Sequence, residues 1–208
     1  MSAPLRRSPV SRIHAALGAV VDVESGWELV SSYGDEETER ARLRASVAII
    51  DITARGKVDV RGAIEGPLGA AGDVLTARVA KDWALVLLEP GGEDVVLPKL
   101  AAAAGPGAMV TDATHLFAGF AIAGPELPGA LARLTSWDPG TLAPGSATGA
   151  PIGEVRAVVV RRDFEISVLE FYVTTEFARF AWETMLDAVV RTGGAPAGWS
   201  PLRAEGWS

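Results

Sequence analysis

Asp51-Ile52-Thr53-Ala54-Arg55-Gly56-Lys57-Val58-Asp59-Val60-Arg61-Gly62 is the stretch that decides the fold, because its frame returns later in the chain. The second copy runs Asp112-Ala113-Thr114, then Gly119-Phe120-Ala121-Ile122-Ala123 to Gly124-Pro125. Each copy reads as an Asp-x-Thr turn, a strand of period two, and a glycine turn that opens a helix. The repeated units cover residues 51–75 and 112–135. A strand-to-helix unit used twice predicts an internally duplicated α+β domain, with two sheet halves around a shared core. Identity between the copies is weak, so two unrelated units of the same kind would leave a similar trace.

Working outward, the 208 residues suffice for one sizeable domain or two tightly joined small ones. Hydrophobic residues make up 49% and charged residues 22%, a globular balance rather than a disordered one. The formal net charge of −7 comes without a basic stripe, which argues against nucleic acid as a partner. Arg6, Arg7 and Arg12 are interrupted by Pro9, and residues 1–12 read as a flexible, solvated lead. Cysteine is absent, which excludes disulfides, thiolate metal sites and a cysteine nucleophile. No apolar stretch approaches the roughly 20 residues of a membrane span. A protein of the cytoplasm, away from membranes, is expected.

Helix signals are clearest at Asp35, which caps a segment with Glu36 and Glu37 in its first turn and Arg40, Arg42 and Arg44 later. Leu68–Leu75 reads as a weak, glycine-broken helix, and Trp83–Leu88 as a strand closed by Pro90-Gly91-Gly92. Val95–Ala104 fits either a strand or a short helix. The run rich in Pro, Gly and Ser from Pro139 to Pro151 is either an internal linker or lid, or an ordinary surface connection. Val155–Val160 and Glu170–Val173 are buried strands. The helix that follows sets Phe177, Phe180, Ala181, Met185, Ala188 and Val189 on one face, ending at Gly193-Gly194.

The chemistry open to these residues is narrow. Two histidines, His14 and His115, exclude a three-histidine metal centre, and no metal is expected. A serine triad around His115 lacks its G-x-S-x-G elbow, and no phosphate-binding glycine loop is present. Carboxylates with aromatic surfaces remain. Glu93 and Asp94 follow the Gly91-Gly92 turn, where a carboxylate can hold or deprotonate an amine, and Trp83 offers a ring face. Arg161, Arg162, Asp163 and Glu165 form a dense polar group at a strand end. Solvated charges and a core tryptophan are the plain alternative for all of them.

Taken together, Leu17-Gly18-Ala19, Gly26-Trp27-Glu28, Tyr33-Gly34 and Asp51 to Val60 resemble the N-terminal region of the aminomethyltransferases, the folate-binding T-proteins of glycine cleavage. Trp83 to Gly92 is similar to a strand that begins with a folate-contacting Tyr and ends in Gly-Gly. Asp112 to Pro125 is similar to a later strand ending in Gly-Pro, and Arg161 to Glu183 to the region holding the family's folate-binding Glu. In size and economy the chain looks closer still to the gamma subunit of heterotetrameric sarcosine oxidases, and it stops before the C-terminal barrel domain of full-length aminomethyltransferases.

The resemblance implies an α+β fold with antiparallel and mixed sheets and a ferredoxin-like half, over residues 13–208. It implies tetrahydrofolate as cofactor and one-carbon transfer from a small amine donor. Asp94 is then the catalytic carboxylate, Arg55 and Trp83 line the pocket, and Glu165 anchors the pterin. Arg55 stands where the family has Met, Trp83 where it has Tyr, and Asp94 reaches its position only through a two-residue deletion. The alternative is a non-catalytic subunit of a sarcosine-oxidase-like flavoenzyme, held to a partner chain; a homo-oligomer fits the same features.

Overall fold

A computed structural model describes residues 4–207. Its elements form two packed sheets, flanking helices and a hairpin. Helix α1 (Ser11–Ala16) precedes the hairpin of β1 (Val20–Glu24) and β2 (Trp27–Ser32). Ser25 and Gly26 turn that hairpin with φ of 50° and 77°, the left-handed pair a two-residue hairpin turn requires. Helix α2 (Glu36–Ala45) begins where the Asp35 carboxylate accepts the Thr38 amide, as its capping pattern predicts.

The chain then builds β3 (Ala48–Asp51), β4 (Gly56–Gly62), a 3-10 turn at Leu68–Ala71, β5 (Leu75–Ala80) and β6 (Trp83–Leu88). Helix α3 (Glu93–Ala104), β7 (Ala108–Asp112), β8 (Phe117–Ala123) and α4 (Leu127–Leu131) follow. The last third holds β9 (Ala147–Ile152), β10 (Val155–Arg162), β11 (Val168–Thr174), α5 (Ala178–Arg191), β12 (Ala195–Pro196) and α6 (Trp199–Ala204).

One sheet has six strands in the order β12-β3-β8-β11-β10-β9, antiparallel except for the parallel pair β12–β3. Its succession β8-α4-β10-β11-α5-β12 is the ferredoxin-like half, with β3 inserted beside β8. The other sheet has four antiparallel strands, β5-β6-β4-β7. Helices α4 and α5 cover one face of the larger sheet through Leu131, Trp182 and Met185. Its other face meets β5, β6, α2 and α6 around Leu43, Leu85 and Tyr172. Helix α3 closes the outer face of the smaller sheet over Val58 and Val60. Strand β8 lies between two cores and is buried at every position, which explains its unbroken apolar run.

Three expectations change and one open alternative is settled. The lead is not a flexible arm from Arg6 onward. The Arg6 amide donates to Gly26, its carbonyl accepts from Glu28, and Val10 is buried. Residues 1–3 lie outside the described residues. Val95–Ala104 resolves as helix, because α3 supplies the outer cover the smaller sheet needs. The 139–151 run is no linker: after a 3-10 turn it becomes edge strand β9, paired to β10 from Ala147 to Ile152. On α5 it is Trp182 that faces inward, while Phe177 and Phe180 are exposed. The helical spacing was right, but its inward stripe begins at Ala178 and is shifted around the axis.

Candidate functional site

The two Asp-x-Thr turns are the places where the chain changes sheets, in opposite senses. After Asp51 it leaves the six-stranded sheet for the four-stranded one, and after Asp112 it returns. In each turn the threonine amide donates to the aspartate Oδ1, at 2.8 Å for Thr53 and 2.9 Å for Thr114. Each threonine hydroxyl then clasps the other crossing. Thr53 Oγ1 accepts the Gly119 amide at 3.2 Å and reaches its carbonyl at 3.3 Å. Thr114 Oγ1 accepts the Lys57 amide at 3.1 Å. Main-chain bonds run alongside, from Ile52 to the Gly119 carbonyl and from Ala113 to the Lys57 carbonyl. Gly119 has no room for a side chain, since a Cβ there would stand 2.8 Å from the Tyr172 ring.

The first crossing carries charge into the core, and Asp51 is its acidic end. Its carboxylate accepts from the Thr53 amide, the Ser8 hydroxyl and His14 Nε2, the last at 2.7 Å. Burial pushes the Asp51 carboxyl up, but the bonds from His14, Ser8 and Thr53 outweigh it and hold the group below its ordinary value. An ionised carboxylate only accepts, so Nε2 carries the hydrogen, and Nδ1 shares a hydrogen bond with the Tyr33 hydroxyl at 2.7 Å. Burial first, and then the charges of Asp51 and Glu39, raise the Tyr33 hydroxyl and keep it protonated. A cavity of about 130 Å³ opens beside this relay, lined by Ser8, His14, Asp51, Trp27 and Trp199 among others.

Two basic groups follow within the same turn. Lys57 is fully buried, and its ammonium donates to the carbonyls of Thr53 at 2.6 Å and Arg55 at 2.7 Å. Burial pulls its pKa down to about 7, with Asp51 partly restoring the charged form and Arg55 opposing it. Arg55 pairs with Glu170 at 3.0 Å. Burial lowers its basicity, and the Glu170 charge together with Tyr172 and Glu89 more than restores it. Glu170 also accepts from Arg162 at 2.8 Å, from the Tyr172 hydroxyl at 2.7 Å and from Trp207 Nε1 at 2.9 Å. The Arg55 guanidinium lies 4.9 Å from the centre of the Trp207 ring. A wholly buried carboxylate is thus compensated by two cations and two neutral donors, as burial of a charge demands.

The residues expected at the site are spread across this architecture. Arg55 sits in the buried network. Trp83 heads β6, donates from Nε1 to Asp59 at 2.7 Å, and lies under Arg61, whose guanidinium is 3.9 Å from the ring centre. In the β4–β6 ladder Gly56 faces Leu88 and Arg61 faces Trp83, so Arg55, just before Gly56, and Trp83 stand at opposite ends, about 20 Å apart along the strand. Asp94 is exposed in the first turn of α3, while its neighbour Glu93 turns inward, 3.3 Å from Thr114 Oγ1. Glu165 is exposed in the loop between β10 and β11, and the carboxylate that enters the core on that hairpin is Glu170. Ser8, His14, Asp51 and Glu170 were not predicted as a polar centre. Glu170 did leave a signal, as a charge flanked by Val168, Leu169, Phe171 and Tyr172. Among the described residues no three His, Asp or Glu side chains are placed to hold a metal. No helix among them is long and apolar enough to cross a membrane.

Comparison with known proteins places this geometry. No family model matches the chain. The aminomethyltransferase of Streptomyces coelicolor is 28% identical over 96% of this chain and 61% of its own length. The glycine cleavage system aminomethyltransferase T from Bartonella henselae superposes with a TM-score of 0.80 at 17% identity, covering 97% of this chain and 62% of that one. A chain of the heterotetrameric sarcosine oxidase from Corynebacterium sp. U-96 gives 0.64 at 19% identity, covering 91% of this chain and 97% of that one. The chain is aminomethyltransferase-like in sequence and fold, and spans about three-fifths of the curated relatives it matches.

Proposed function

We propose that this chain binds tetrahydrofolate and acts, in the cytoplasm, in one-carbon transfer from a small amine donor, as an aminomethyltransferase-like protein. The observation that carries the reading is the continuous likeness to aminomethyltransferases over 96% of the chain, together with a shared fold over 97%. A folate site resting on Arg55, Trp83, Asp94 and Glu165 requires those residues to converge. Two are exposed, and the other two stand at opposite ends of one ladder. Arg55 and Trp83 are therefore too far apart to touch one pterin ring together, and no catalytic step is assigned to the four. Binding is tested by calorimetric titration of tetrahydrofolate with tryptophan fluorescence followed in parallel. A saturable heat with a fluorescence change supports the reading; neither signal appearing overturns it.

One observation favours the second reading, a non-catalytic gamma-type subunit of a sarcosine-oxidase-like flavoenzyme. Val20, Val21 and Val23 on β1 are exposed together with Leu17, on a strand whose outer edge is unpaired among the described residues. Such an edge is aggregation-prone unless a second chain covers it. Purification from the native host separates the cases: a stoichiometric flavoprotein partner supports the subunit, and a lone folate-binding species rejects it.

A further inference from the structure

A cleft of about 470 Å³ opens between α4, the 135–140 loop and the ends of β10 and β11. Its volume lies in the range of roughly 300–1,000 Å³ typical of small-molecule sites. Leu127, Leu131, Leu169 and Trp137 supply apolar walls. Arg161 supplies the one cation among the lining residues.

Arg161 and Arg162 are adjacent in sequence but face opposite sides of the sheet. Arg162 turns to Glu170, while Arg161 pairs in register with Leu169 and turns to the cleft. The Arg161 guanidinium donates from Nη1 to the Leu142 carbonyl at 2.8 Å, and no carboxylate pairs with it among the described residues. Its backbone is fixed by bonds to Ser146 and Gly145. The one acidic lining residue, Asp138, is exposed and engaged with the Gly140 amide at 2.8 Å. That bond, with those from Trp137 to the Thr135 hydroxyl and from the Thr141 hydroxyl to the Asp138 carbonyl, holds the loop wall in place. A wall formed in advance lowers the ordering cost of a ligand.

We propose that this cleft binds a small apolar carboxylic acid, its body against Leu131, Leu169 and Trp137 and its carboxylate on Arg161. A single guanidinium at the margin of apolar walls matches one carboxylate in charge and in planar geometry. An uncharged analogue of the same shape fills the walls but leaves the guanidinium without an anion. The cleft lies on the opposite sheet face from the Arg55–Glu170 network.

The test uses octanoate and 1-octanol as probes on the full chain, by calorimetry. Octanoate is expected to bind saturably and at least tenfold more tightly than 1-octanol. Arg161→Gln is expected to weaken octanoate about tenfold and leave 1-octanol unchanged, with Arg161→Lys in between. Ala132→Trp, at an exposed lining position, is expected to abolish both while thermal unfolding stays unchanged. Absence of octanoate binding, equal binding of the two probes, or octanoate binding that survives both Arg161→Gln and Ala132→Trp overturns the proposal. Tetrahydrofolate titrated against the same variants is expected to behave as with the unaltered chain.

Discussion

The two sheet crossings use one backbone device for different loads. Both place an aspartate two residues before a threonine, both cap the threonine amide, and both let its hydroxyl clasp the other strand. The Asp51 crossing then buries Asp51, Arg55 and Lys57, whereas Asp112 and His115 at the other crossing are exposed. The difference comes from depth. The first turn has the N-terminal segment, β11 and α6 packed around it, so Ser8, His14, Glu170 and Trp207 are available as partners. The second has solvent on one side. Equal sequence frames therefore specify equal connections without specifying equal chemistry.

Breaking the charged side of that comparison is expected to have the largest effect. Arg55→Met leaves Glu170 buried with half its cationic compensation and is expected to cost about 3–5 kcal/mol, measured by urea unfolding. An Asp112→Ala chain, altered at the exposed crossing, is expected to stay close to the parent. Equal losses would erase the distinction between the crossings.

Lys57 sharpens the contrast through pH. Its folded pKa, about 7, lies below the ordinary lysine value of 10.5, so above pH 7 the unfolded chain binds the extra proton. Stability from this residue is thus expected to rise between pH 7 and 9, by at most about 1.4 kcal/mol per pH unit, and to fall again as pH returns toward 7. The groups that set this balance are Asp51, Arg55, Glu93 and Asp112. Lys57→Met should flatten the dependence over that window in unfolding experiments; a slope that persists would assign it elsewhere.

The shared device is tested by Thr53→Val and Thr114→Val. Each removes a hydroxyl whose buried main-chain partners then lose a bond, and each is expected to cost about 1–3 kcal/mol. Similar values would confirm a reciprocal clasp, and a value near zero for either would limit it to one side. Smallest is Asp94→Asn. The residue is exposed, so a stability change below about 0.5 kcal/mol is expected by thermal unfolding. A larger change would mean that Asp94 holds the first turn of α3 in place.

Local signals carried far in reading the chain. Asp35 with its acidic first turn was legible as a helix start because capping is settled within four residues. Trp83–Leu88, Val155–Val160 and Glu170–Val173 were legible as strands because apolar runs of that length suit buried sheet positions. Two candidate carboxylates, Asp94 and Glu165, lie exposed near the buried Glu93 and Glu170, because spacing along the chain does not say which of two nearby carboxylates a helix or strand turns inward. The Pro139–Pro151 run was misjudged for a related reason: β9 gains its strand character from pairing with β10 rather than from its own Gly-rich and Pro-rich sequence.

The sequence by itself determined the clearest helices and buried strands, the α+β class, the paired Asp-x-Thr turns and the exclusion of cysteine chemistry, because these depend on residue type and near neighbours. Only the tertiary structure decided which sheet each strand joins, that His14 completes a relay between Tyr33 and Asp51, and that Arg161 and Arg162 serve opposite faces. The reason is physical. A charge is acceptable in the core only where distant segments bring it a partner, and those partners come together only when the sheets pack.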